Sequence, residues 1–511
     1  MVIVISAERN IRMFDFLKRT DALPGIVLIL TCFMAGCNEA PQSETSAPQI
    51  PLHPCQLSTP GNSARLPARC GKLAVYEDFV KKSGRKIELR VAVIAALSRT
   101  PEPDPVFYLA GGPGDAATDS YVRESAAFRL LSEHRDIILV DQRGTGQSHP
   151  LKCDASGDES DDEADIKSEI ENCLRQLDAD TRFYNTQAAV DDLDRVRAAL
   201  GYEKINLYGV SYGTRVAQTF MRRYPKHVRT VILDGVAPQD EALGATMASD
   251  AQKALDAIFS NCASDPDCGR AFPDLPDSLS GLLERLEREP VPLTIDDPNT
   301  GKPTKIVFTR AKLGLAIRLF SYGPETAALL PLLIHDAHNT GDLRRLAAQS
   351  LIVTEQLMGS INMGVHHSVV CAEDVPFYNQ NGKFAGDVES ERRSYLGEAY
   401  KELDTVCRYW PAAKVSPDFK KLVKSDIPVL LLSGELDPVT PPGNAAHVAS
   451  VLPNSLNLVA PGQGHGVLMR GCIYKIATEF IESGSVTGLN TGCLQDLKPA
   501  PFFLTYTGPK P

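Results

Sequence analysis

Ile205-Asn206-Leu207-Tyr208-Gly209-Val210-Ser211-Tyr212-Gly213-Thr214-Arg215-Val216-Ala217 is a short apolar run that passes, through two glycines flanking a serine, into an amphipathic segment ended by Pro225. The apolar run predicts a buried strand over 205–208, and the following residues predict a helix over 213–224. Gly209 to Gly213 fits G-x-S-x-G in the strand-to-helix context that this motif requires. A chain turning that sharply leaves no room for side chains two residues either side of the serine. The turn lifts the Ser211 hydroxyl above the sheet edge, beside a helix N-terminus, which makes it a candidate nucleophile.

The same alternation extends in both directions. Residues 87–94 alternate apolar and polar side chains as a half-exposed strand does, and 106–109 and 137–140 are short apolar runs that suit buried parallel strands. Thr186 caps a predicted helix whose apolar face is Val190, Leu193, Val196 and Leu200, and 228–233 reads as the next strand. From about Met247 to Met358 the pattern is mostly helical, with one weak pair of strands at 291–295 and 306–308, and a further helix is expected over 390–407. The strand and helix alternation returns at 429–432, 444–451, 456–460 and 473–481. One parallel α/β sheet interrupted by a helical insertion accounts for this order. The expected divisions are 65–245 for the first part of the core, 246–425 for the insertion and 426–511 for the rest of the core.

A serine hydroxyl is a weak nucleophile that needs a base oriented by a carboxylate. In this type of fold the acid and then the histidine follow the serine along the chain. Only His447 and His465 lie in the final α/β block. His447 falls within a predicted helix, whereas His465 sits in Gly462-Gln463-Gly464-His465-Gly466, a loop directly after a strand. Asp437, just past the strand 429–432, is the candidate acid; Asp426 precedes that strand and lies at the wrong end, and Glu435 reads as loop-supporting. Ser211, Asp437 and His465 thus each follow the C-terminal end of a strand.

An oxyanion formed by attack on an acyl carbon needs preorganised N–H donors. The Tyr212 N–H follows the nucleophile. Ala110-Gly111-Gly112-Pro113-Gly114 follows the strand 106–109 and supplies a second donor, Gly112 first and Gly111 next. A phosphate loop is the competing reading, but no Lys-Ser/Thr follows and no helix start is evident. Asp141 and Arg143 are expected to form a structural ion pair beside this loop.

The chain has 511 residues, a net charge of −11 and 43% hydrophobic residues, an ordinary globular composition whose acidic balance argues against nucleic acid as a partner. Lys18 and Arg19 precede a short apolar stretch at 26–34 that ends in Met34-Ala35-Gly36-Cys37, the layout of an export signal. Cysteine after small residues resembles a bacterial lipoprotein signal, with Cys37 as the lipidated first residue of the mature chain. That reading places the protein in the periplasm or on a membrane through the lipid alone. Residues 1–36 are then signal and 37–64 a tether, rich in Pro, Ser, Thr and Gln over 41–54. Ten further cysteines suggest neighbour disulfides 55–70, 153–173, 262–268, 371–407 and 472–493. With no Cys-x-x-Cys or His-x-x-x-His spacing, no metal site is expected. The acidic run 154–165 reads as a solvated loop.

Together, Gly111-Gly112-Pro113-Gly114, Asp141-Gln142-Arg143-Gly144-Thr145-Gly146-Gln147-Ser148 and Gly209–Gly213 resemble the proline-iminopeptidase-like α/β-hydrolases, and the block from Ser433-Gly434 to His465 resembles the tripeptidyl-aminopeptidase C-terminal region. The resemblance spans roughly 65–495; it departs at Ala110, where a histidine is usual. It implies an α/β-hydrolase fold with a mainly parallel sheet and an inserted, mostly helical cap. It also implies a serine exopeptidase acting on peptides with a free N-terminus, without cofactor or metal. An ammonium group calls for a desolvated carboxylate, and acidic residues of the cap do this in the family; Glu373 and Asp374 are the candidates here. A carboxylesterase or lipase using the same three residues is the alternative, and a catalytically dead binding module on the same fold is a third reading. Epoxide hydrolases and dehalogenases carry Asp where Ser211 stands.

Overall fold

The computed structural model describes residues 49–508 except 60–63, 154–162, 299, 381–382, 385–387 and 398–399. The expected signal, Cys37 and most of the acidic run 154–165 lie outside the described residues.

Strands Val106–Leu109 (β4), Ile137–Val140 (β5), Ile205–Val210 (β6), Val228–Asp234 (β7) and Val429–Gly434 (β12) are almost entirely buried. Their continuous apolar runs fit strands covered on both faces. They lie in one nine-stranded sheet of order β1-β2-β3-β5-β4-β6-β7-β12-β13, in which β1 is His53–Leu57, β2 Leu66–Asp78, β3 Ser83–Ile94 and β13 Ser455–Ala460. From β5 to β13 the neighbours are parallel, and β1, β2 and β3 add an antiparallel edge. This is the α/β-hydrolase arrangement anticipated above.

Two apolar layers cover the sheet. One packs Val190, Leu193 and Val196 of the helix Thr186–Ala199 with Val216 and Phe220 of the helix Tyr212–Arg223. The other is built around Tyr108, Phe128, Tyr208 and the helix Ile473–Ser483.

After Asp234 the chain leaves the sheet and rejoins it at Val429. This excursion has its own apolar core, including Leu255, Leu282, Ile317, Phe320 and Leu333. It also holds two small antiparallel pairs, Val291–Asp296 (β8) with Pro303–Phe308 (β9), and Asn379–Gln380 (β10) with Lys383–Phe384 (β11).

The differences from the sequence reading are local. The single helix expected over 390–407 is two helices, Val388–Arg393 and Tyr400–Tyr409, because Gly397 between them takes φ +63°. β1 begins at His53, inside the stretch read as a tether, and Cys55 is joined to Cys70 of the neighbouring strand. A helix, Ala117–Glu124, opens shortly after Gly114, where none was expected. All ten cysteines of the described residues pair with their expected neighbours. Among the described residues no helix is long and apolar enough to cross a membrane.

Candidate active site

Ser211 stands between β6 and the helix Tyr212–Arg223 with φ +56° and ψ −125°, a region that L residues rarely adopt. Close approach on both sides explains the flanking glycines. A Cβ on Gly209 would lie 2.4 Å from the Gly213 carbonyl oxygen, and one on Gly213 would lie 2.1 Å from that of Leu109. The Ser211 N–H donates to the Asp234 carbonyl at 2.8 Å, which ties the elbow to the end of β7.

His465 arrives at the same edge from the loop after β13. Its Nδ1 lies 2.8 Å from Oδ2 of Asp437, whose side chain is completely buried. The Asp437 carboxylate is held in turn: Oδ1 accepts the N–H groups of Val439 and Thr440 at 2.8 and 2.9 Å, and Oδ2 accepts the Thr440 hydroxyl at 2.8 Å. Thr440 Oγ1 also lies 3.1 Å from His465 Nδ1. The geometry orients a ring whose far nitrogen is free to act as a base. Burial draws the imidazole pKa down, but the charge and hydrogen bond of Asp437 outweigh it and leave the pKa above 6.5.

Gly235 links the ring to the elbow. It follows Asp234, the acceptor of the Ser211 N–H, and a Cβ built on it would lie 3.0 Å from Cε1 of His465. Ser211 Oγ has no hydrogen-bond partner among the described residues, so the hydroxyl and the imidazole are not bonded to each other. Such contacts commonly tighten only when substrate is bound. Asp234 also sets the loop: its carboxylate accepts the N–H groups of Val467 and Leu468, both at 2.9 Å.

The glycine loop after β4 lies against the serine. A Cβ on Gly111 would be 3.1 Å from Ser211 Cβ and 3.7 Å from Ser211 Oγ. The Gly112 N–H belongs to the peptide unit that begins at Gly111. The Tyr212 N–H sits in the first turn of its helix, where backbone donors have no intrahelical acceptor.

One helix of the excursion, Met363–Glu373, is fastened to both parts of the site. At its start, the backbone N–H and Nδ2 of Asn362 both donate to the Gly114 carbonyl at 2.9 Å. At its end, Glu373 and Asp374 reach the helices of the core. Both carboxylates, expected to face a substrate ammonium, are fully buried and have internal partners. Glu373 accepts the Thr186 N–H and hydroxyl, each at 2.7 Å. Asp374 accepts Arg215 Nη1 at 2.8 Å, Lys420 Nζ at 2.9 Å and the Leu243 N–H at 2.9 Å. Carboxylates so deep in the core need these partners to stay inside it.

Asp141 and Arg143 also depart from expectation. Arg143 forms a buried bidentate pair with Asp192, at 2.7 and 2.9 Å, and Asp141 accepts from Thr118 and Gln147. Glu435 supports its loop as anticipated, accepting the Gly462 N–H at 2.8 Å, and His447 pairs with Asp240 near the surface. Sequence reading overlooked Thr440, Asp234 and Arg215. Asp437-Pro438-Val439-Thr440 carries the signal of a side-chain-capped turn, which would have revealed Thr440; Asp234 and Arg215 had no local signal.

Residues 104–471 match the family described as alpha/beta hydrolase fold. The serine protease Hip1 of Mycobacterium tuberculosis is 25% identical over 525 residues, covering 92% of this chain and 96% of that protein. The tripeptidyl aminopeptidase of Streptomyces lividans is 25% identical over 466 residues, covering 85% of each. Among solved structures, the proline iminopeptidase of Mycobacterium smegmatis aligns with a TM-score of 0.38 and 17% identity, over 81% of this chain and 98% of the other.

Proposed function

Because this chain belongs to the α/β-hydrolase fold family and is a serine hydrolase of peptidase-like kind, we propose that it is an exported aminopeptidase acting through an acyl-enzyme. What supports the proposal is that a serine in a strained elbow and an imidazole hydrogen-bonded to a buried carboxylate both follow the C-terminal ends of strands in one sheet. In this reading His465 takes the Ser211 proton as Oγ attacks the substrate carbonyl. The Gly112 and Tyr212 N–H groups hold the oxyanion, and His465 protonates the departing amine. Water then hydrolyses the ester to Ser211 by the same route in reverse, while Asp437 keeps the ring in one tautomer.

The names of the two relatives and the sequence motifs favour peptides with a free N-terminus over simple esters as substrates. Export is supported by the signal-like residues 18–37 and by five disulfides, which persist in oxidising compartments. Lipidation of Cys37 is part of the proposal, and the mass of the mature N-terminus tests it.

The function itself is tested by mass spectrometry of products from an unbiased peptide library that includes N-acetylated copies. Release of N-terminal residues or short peptides from the free-amine copies alone is expected. Equal cleavage of acetylated copies, or turnover of nitrophenyl esters alone, favours the carboxylesterase reading. Wild type should be labelled by a fluorophosphonate and Ser211→Ala should not; an unlabelled wild type would exclude a serine hydrolase.

A further inference from the structure

Four polar groups on the excursion's side of the site are buried without a hydrogen-bond partner: Nε of Arg318, the hydroxyl of Tyr395, Nδ1 of His366 and Oδ1 of Asn362. Buried polar atoms in native proteins are nearly always satisfied, so several orphans around one site call for an explanation. They lie on separate segments. Arg318 is near the end of the helix Arg310–Phe320, Tyr395 follows the helix Val388–Arg393, and Asn362 and His366 flank the start of Met363–Glu373.

Their neighbourhood is the candidate active site. Asn362 is bonded to Gly114 and the His366 ring to the Pro113 carbonyl, so both adjoin the glycine loop. The Arg318 guanidinium lies over Tyr322, 5.9 Å from the ring centroid. Tyr322 packs edge-on against His465 at 5.2 Å between centroids and accepts the His465 N–H at 2.7 Å. Tyr395 packs on the helix that carries Arg318: a Cβ on Gly314, one turn before it, would lie 3.2 Å from the Tyr395 carbonyl oxygen. Among the described residues Arg318 has no carboxylate partner, although most arginines buried near the sheet have one. An unpaired guanidinium and a phenol, both donors, are complementary to an anion.

Resting on the hydrolase reading above, we propose that Arg318, assisted by Tyr395, binds a carboxylate of the substrate's leaving segment. The side of the bond follows from the chemistry. His465 must deliver its proton to the departing nitrogen, so groups that reach His465 through the edge-on ring of Tyr322 lie on the leaving-segment side. The carboxylate is either the C-terminus of a short leaving segment or an acidic side chain of its first residue. Arg318 is therefore a specificity-determining residue, and short peptides with free C-termini are the favoured class.

The test uses peptides with an identical acyl portion and three leaving segments: one with a free C-terminal carboxylate, its carboxamide, and a carboxamide whose first residue is acidic. Wild type is expected to favour one carboxylate-bearing form over the neutral carboxamide by about ten- to a hundredfold in kcat/KM, the size typical of hydrogen bonds to charged groups. Which form is favoured identifies the source of the carboxylate. Arg318→Gln should bring the ratio close to unity, and Arg318→Lys should retain part of it. Active-site titration with a fluorophosphonate normalises each variant to its folded fraction. A ratio near unity in wild type, or one unchanged in Arg318→Gln, overturns the carboxylate site. Absence of labelling in wild type would instead overturn the hydrolase reading beneath it.

Discussion

Arg215 and Asp374, 159 residues apart, form an ion pair with no exposure to solvent, at 2.8 and 3.0 Å from Nη1 to the two carboxylate oxygens. Arg215 is in the first turn of the helix that begins at the elbow, and Asp374 ends the helix whose start is bonded to Gly114. This pair, with Lys420 on the same carboxylate, locks the excursion to the nucleophile helix. Arg215→Met is expected to cost about 3–5 kcal/mol, because it strands buried carboxylates without their counter-charge. Arg215→Met with Asp374→Leu should recover part of that loss. Chemical denaturation of the two single variants and the double variant measures the coupling; strict additivity would show that the pair does not act as a unit.

The raised pKa of His465 predicts the pH profile. The charge and hydrogen bond of Asp437 make the imidazole more basic than a free histidine, so the neutral base is depleted at a higher pH than it would be in a free histidine. The acid limb of kcat/KM should therefore have an apparent pKa above 6.5. Asp437→Asn removes the charge that raises it. The limb should move to lower pH, and kcat should fall by about 10⁴-fold. A pH–rate profile of both proteins checks the direction.

Thr440 restrains both partners of that pair. Thr440→Val removes the hydroxyl bonded to Asp437 Oδ2 but leaves the backbone donors to Oδ1 in place. The carboxylate and ring lose alignment, and kcat should fall by up to about 10²-fold with little change in KM. Steady-state kinetics on one peptide, with melting temperature as a control for folding, separates misalignment from unfolding.

Burial pushes the Glu373 carboxyl up to about 7, opposed by the charge of Arg215 and helped by that of Asp374. Its folded-state pKa thus exceeds the ordinary value of 4.5, and the folded protein binds this proton more tightly than the unfolded chain. The group's contribution to stability consequently declines as pH rises from about 4.5 through about 7. Glu373→Gln abolishes that decline. The melting temperature of the variant relative to wild type should rise by a few degrees between pH 5 and pH 8, as expected for changes of about 1–2 kcal/mol. Parallel thermal melts across that range decide the sign.

Much of this protein is legible along the chain because local order carries it. Runs such as Val106–Leu109 and Ile137–Val140 are short and wholly apolar, and the structure makes them strands with those bounds. Ser211 is marked by its two glycines, and Asp437 and His465 by following strands near the end of the chain; a parallel sheet brings those strand ends to one edge. Cysteine spacing was enough to suggest the pairings. Other features leave no local trace. β1 and β2 are half exposed and form an edge, so their apolar pattern is weak.

Glu373 and Asp374 show most clearly what tertiary structure decided. On the chain they are adjacent acids after Cys371, equally suited to a surface, a substrate ammonium or a buried cation. Folding sets Arg215, Lys420 and Thr186 around them, and so fixes them as ties between helices. Arg143 meets Asp192 and not the nearer Asp141 for the same reason. Strand, turn and elbow depend on interactions within a few residues, which sequence records directly. A buried charge is decided by whichever counter-charge the completed fold brings within hydrogen-bond distance, and only the assembled structure specifies that partner.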